Sequence, residues 1–173
     1  MYVTPSWNLF FIVFFIVGIA YGMMLQRERT VVTLVSIYVS LVLTNLLNDP
    51  IAKFFTGERT INSFFISSQV SPFTIKAGIF VLVLILMITK SGLSGGTDGR
   101  GLLSPVEVFL YSFLNTALII TTIMSFMPDE ARASMIHQSS MASFLASHHT
   151  WWLLLPIAIL IFFGWNRNPL LRA

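Results

Sequence analysis

The chain has 173 residues, 55% of them hydrophobic and only 10% charged, with a mean hydropathy of +0.82 and a formal net charge of +3. A soluble domain carries about 25% charged residues, so a water-soluble globule is excluded. The few scattered bases form no stripe with interleaved aromatics, which excludes a nucleic-acid partner, and the absence of cysteine removes disulfides, thiolate metal sites and cysteine nucleophiles.

The expected fold is an all-α membrane protein, one domain over residues 1–173. It is read as a bundle of four to five transmembrane helices with interfacial amphipathic segments, since a hydrocarbon core of ~30 Å takes ~20 apolar residues per crossing. All four tryptophans stand at ends of hydrophobic runs: Trp7 before the first, Trp151 and Trp152 at the start of the last, Trp165 at its close. Tryptophan prefers the headgroup level, where its ring and its N–H are both accommodated.

In chain order, the first span is expected over about 8–25, closed by Arg27-Glu28-Arg29. No Lys or Arg precedes it, so it is read as a retained helix and not as a cleaved secretory signal. The second covers about 31–48, antiparallel to the first across the short charged link. Asp49-Pro50 reads as a fresh helix start, and 49–70 is assigned to the interface, partly re-entrant. Ser71-Pro72 repeats the cap-plus-proline signal and opens the third span, about 72–89. Lys76 and Lys90 at its two ends are expected to snorkel to the headgroups.

Residues 90–103 hold Gly92, Gly95, Gly96, Gly99 and Gly101 and read as a loop. Ser104-Pro105-Val106-Glu107 is a capping box that gives Glu107 a local task at the start of the fourth span, about 105–127. Pro128 ends that span, and 129–147 has the spacing of one amphipathic helix lying on the surface. The last run, about 150–165, contains Pro156, which predicts a kink. It either spans with its flanking residues or inserts partway.

Counting bases across five spans puts Arg27, Arg29, Lys90, Arg100, Arg167 and Arg172 on one side and Lys53, Arg59, Lys76 and Arg132 on the other. Bases in short loops favour the cytoplasm, so the N-terminus is expected outside and the C-terminus inside.

No ionisable group falls in mid-span, where proton relays and ion-coupled transporters place them. The glycine loop lacks the Lys-Ser or Lys-Thr pair of a phosphate cradle. His148 and His149 are sequence neighbours pointing apart, which suits one metal poorly. No catalytic residue, cofactor or metal site is therefore assigned. What the spans do offer is packing chemistry. Gly18 and Gly22 form a GxxxG step that lets another backbone approach closely. Thr33, Ser36, Ser40, Thr44 and Asn48 make a polar stripe on the second span, read either as helix packing or as the lining of a path. Asn115 is the one strongly polar side chain near the middle of a span, expected to bond to the second helix near Ser36 or Ser40, or to a partner chain.

Gly22-Met-Met-Leu-Gln-Arg27-Glu28 after the first span, followed by Lys90-Ser-Gly-Leu-Ser-Gly-Gly-Thr-Asp98-Gly-Arg100-Gly101 before the fourth, resembles the colicin V production (CvpA-like) family over roughly 8–127. Gly99 separates Asp98 from Arg100, and the fourth span lacks the glycine-rich face expected in the family. The resemblance implies a multi-pass protein of the bacterial inner membrane with a role in toxin export or the envelope, and it implies functional loops at Arg27, Glu28, Asp98 and Arg100. The expected function is that of a non-enzymatic, helix-packing subunit of a larger assembly. Its partners are the lipid bilayer and other membrane subunits or further copies of the chain. The alternative is an oligomeric channel or passive transporter lined by small polar residues of the second and fourth spans.

Overall fold

The computed structural model describes residues 6–24, 27–55, 71–90 and 105–166. Among them every regular element is a helix: α1 (Trp7–Met24), α2 (Arg27–Phe55), α3 (Pro72–Lys90), α4 (Pro105–Phe126), α5 (Asp129–Gln138), α6 (Ser140–Ser147) and α7 (His149–Asn166). Four of them, α1 to α4, are long and apolar enough to cross a membrane. A fifth crossing is reached if α6 and α7, bent by 65° about His148, count as one broken span.

The bundle is organised around α4. Two-thirds of its apolar window is buried, against 17% for α1 and for α3. On one flank α1 lays Phe11 and Phe15 against Ala117, Ile120 and Met124, with Leu145 of α6 closing the cluster. On the other, Leu34 and Ile37 of α2 and Phe80 and Leu84 of α3 meet Val108, Tyr111 and Leu118. The outer faces of α1 and α3 stay apolar and exposed, Ile16, Val17, Leu82 and Ile85 among them. Such faces are costly in water and at home in lipid.

Three boundaries differ from expectation. Arg27-Glu28-Arg29 is not a link between helices but the first turn of α2. Asp49-Pro50 does not start a new helix; α2 runs through it to Phe55. Proline removes one backbone bond and crowds the carbonyl four residues earlier, a disturbance the last turns of a helix absorb. The Asp49 carboxylate accepts from the Asn48 amide at 3.0 Å instead of capping. The stretch 129–147 is two helices, because Ser139 takes an extended conformation (φ −139°, ψ 119°) and caps α6 by accepting from the Ala142 N–H at 3.1 Å. The same hydroxyl donates to Asn8 Oδ1 at 2.6 Å, tying that break to the start of α1.

Pro156 is buried inside α7. One turn before it, the Leu153 carbonyl accepts a hydrogen bond from the Tyr38 hydroxyl of α2. Of the expected belt residues, Trp151 is exposed, whereas Trp152 turns inward onto Phe113 and Phe144 with ring centroids 6.1 and 5.9 Å away.

Candidate functional site

The GxxxG step of α1 is spent inside the chain. A Cβ at Gly18 would land on the Thr116 side chain and one at Gly22 on that of Ser112, so α1 and α4 pass antiparallel with only hydrogen atoms to spare. The Thr30 hydroxyl reaches the Gly22 carbonyl at 3.4 Å, and the Thr30 carbonyl accepts from Asn115 Nδ2 at 2.9 Å. Asn115 therefore does bond to the second helix, at Thr30 and not at Ser36 or Ser40. The expectation of Ser36 or Ser40 assumed that both helices start level with each other. Gly22 facing Ser112 shows instead that the last turn of α1 sits beside the second turn of α4, so α4 begins nearer the end of the bundle than α2 does.

The polar stripe of α2 is closed. Ser36, Ser40 and Thr44 are fully buried, and with Thr33 each donates to the carbonyl four residues earlier at 2.7–2.8 Å. A short hydroxyl that satisfies itself on its own backbone lets two helices approach without leaving a polar group stranded. Within one chain these residues line no lumen.

The open polar surface lies beside the middle of α2, where α4 finishes and α3 and α7 begin. A recess of about 280 Å³ is bordered by Asn45, Lys76, Thr122, Ser125 and His149, with Leu41, Phe126 and Leu153 as its apolar wall. Ser125 and His149 also border a second recess, about 490 Å³, that extends under α5 and α6 to Arg132, Ser143 and Ser147. Thr122 is 1% exposed and its hydroxyl has no hydrogen-bond partner among the described residues. It is the exception on α4: Ser112, Thr116, Thr121 and Ser125 all donate to carbonyls of their own helix. Arg132 pairs with Asp129 at 3.1 Å, on the solvent side. Among the described residues Lys76 makes no ion pair and no carboxylate borders the smaller recess.

Lys76, expected to snorkel to the headgroups, stands four residues before Phe80 and eight before Leu84, half-buried on the stripe by which α3 meets the bundle. That four-residue spacing was in the sequence. An apolar side chain at almost every other position of α3 hid which face was inward, because amphipathicity is the signal that marks a buried stripe. In the sequence Thr122 stood only among the small polar residues of the fourth span that support the channel alternative, and nothing pointed to Asn45; their meeting with Lys76 depends on three helices distant along the chain.

Among the described residues no three His, Asp or Glu side chains gather as metal ligands do. Asp98, Arg100 and Ser104 lie outside the described residues, as do the side chains of Arg27 and Glu28, so the expected functional loops and the Ser104 half of the capping box lie outside the geometry above. No protein-family model, curated protein or solved structure matches the chain.

Proposed function

We propose that the protein is a non-enzymatic integral membrane protein, similar to the colicin V production family of the bacterial inner membrane, and that it packs as a helical subunit within a larger envelope or export assembly. In this reading its N-terminus is outside and its C-terminus cytoplasmic. Gly78 carries the argument. A glycine inside a helix costs about 1 kcal/mol relative to alanine, and elsewhere in this bundle that cost is offset by close helix approach, as at Gly18 and Gly22. At Gly78 a Cβ would meet nothing within 4 Å among the described residues.

The residue sits on the outer face of α3, between Thr74, Ala77 and Leu82, above a shallow apolar recess shared with Leu47 and Ile51 of α2. Small residues on a lipid-facing helix let a second helix come close. The helix that uses this notch belongs to another subunit, further copies of this chain included. The channel alternative has less support, because its proposed lining on α2 is packed shut and self-bonded.

A photo-crosslinking residue at Ala77 or Val81 in native membranes is expected to give discrete adducts, and Gly78→Leu is expected to abolish them while leaving the purified chain folded. Absence of adducts, or adducts untouched by Gly78→Leu, would refute the reading. Ion or solute flux through liposomes holding the purified chain alone would favour the channel.

A further inference from the structure

We infer that the recess around Lys76 is a binding site for a phosphate-bearing anion, placed at one face of the bilayer. This goes beyond the packing role proposed for the outer face of α3, which involves none of the same residues. Among the described residues the recess is bordered by Lys76, Asn45, Thr122 and His149, whose side chains can all donate, and by no carboxylate; the Thr122 hydroxyl lies just beneath its surface. A group rich in acceptor oxygens and negatively charged is what that set complements.

Two observations independent of the charge point the same way. Buried polar side chains almost always find a partner, yet the Thr122 hydroxyl has none, on a helix whose other short hydroxyls bond to their own backbone. A ligand oxygen in the recess supplies the missing bond. The lysine also stands among the core-facing residues of α3, and not on its exposed face where the ammonium reaches water most easily. The first turn of α7 begins at His149 and adds the partial positive charge of a helix N-terminus.

The phosphate comes either from an anionic lipid headgroup or from solution. Leu41, Phe126 and Leu153 on the apolar wall suit the first source, since they would lie against the glycerol and upper acyl carbons of a lipid. Arg132, at the edge of the adjoining recess, is engaged with Asp129 and is not needed for the site.

The test uses the full chain in mild detergent. Native mass spectrometry with phosphatidylglycerol or phosphatidylcholine measures lipid retention, and calorimetry with inorganic phosphate measures the soluble anion. The expected result is retention of the anionic lipid over the zwitterionic one, lowered about tenfold by Lys76→Met, the size of one lost charge-assisted hydrogen bond. Lys53→Met, which removes an exposed cation outside the recess, leaves it unchanged. If inorganic phosphate binds with the same Lys76 dependence and displaces the lipid, the site takes the free anion as well. If phosphate does not bind, the lipid is the ligand.

Thr122→Val keeps the shape and removes the hydroxyl. It is expected to weaken binding severalfold while leaving the ligand-free chain as stable as before or more so, which separates a binding role from a structural one and covers the case in which Lys76→Met fails to fold. Equal retention of the two lipids together with no phosphate binding, or binding of either ligand indifferent to both Lys76→Met and Thr122→Val, overturns the inference. Loss of the Gly78 crosslinks leaves it standing, so the two proposals fail separately.

Discussion

The side-chain amide of Asn115 donates to the backbone carbonyl of Thr30 across 85 residues of sequence, joining the middle of α4 to the start of α2 at 2.9 Å. The carbonyl already serves its own helix and uses its second lone pair here. Asn115 Oδ1 is buried without a partner, so the amide is half satisfied. Asn115→Ala is expected to destabilise the bundle by ~0.6–2 kcal/mol, the range of interhelical bonds in membranes. Asn115→Asp loses the donor and sets carboxylate oxygens against a carbonyl, and it should be far worse. Unfolding in mixed micelles checks the order Asn, Ala, Asp.

The two kinds of glycine predict opposite responses to the same substitution. Gly22→Ala drives a methyl into Ser112, with the Ser112 Cα itself only 3.3 Å from the added carbon. Overpacking of this kind costs about 1–3 kcal/mol. Gly78→Ala meets nothing and should stabilise the isolated chain by up to ~1 kcal/mol through helix propensity. Thermal stability of the two variants in one detergent separates them by sign.

Tyr38 holds α7 to α2 through the Leu153 carbonyl. Tyr38→Phe keeps the ring packed and removes only the hydroxyl, at an expected cost of about 1 kcal/mol. The effect should be local. Hydrogen exchange is expected to rise in the first turns of α7 and to stay unchanged in α4.

Ser139 performs two tasks with one oxygen, capping α6 and bonding to Asn8. Ser139→Ala should cost ~1–2 kcal/mol, the upper range for a lost cap. It should also loosen the start of α1, which a cap alone would not touch. Exchange or limited proteolysis near Asn8 reads that second effect.

The spans were legible in the sequence because hydrophobic length is a local property: the expected 72–89 and the observed Pro72–Lys90 nearly coincide. So was the self-bonded stripe of α2 in its packing reading, since a serine or threonine in a helix always has the carbonyl four residues earlier within reach. Depth was not legible. It depends on how far α1 and α2 slide along α4, which the Gly22–Ser112 contact decides and no single helix encodes. Asp49-Pro50 misled because a start signal and a tolerated late proline look alike until the preceding turns are known to continue. The recess around Lys76 was hidden for the same reason as the depth, being built from the middle of α2 and the ends of three other helices whose faces carry no amphipathic mark.

The seam between α1 and α4 has a consequence for how the chain is made. The surface that Gly18 and Gly22 expose is shaped for Thr116 and Ser112, and the partner of Thr30 is 85 residues further on. At ribosomal speeds of ~5–20 residues per second, that separation is on the order of ten seconds. Throughout that interval α1 and α2, long and apolar enough to cross a membrane, hold a notch and a free carbonyl lone pair that their final neighbour has yet to cover. The N-terminal hairpin is thus born incomplete, and its final neighbour arrives from the second half of the chain. Until then, quality control has an unpaired small-residue surface to recognise, and a competing helix has one to capture.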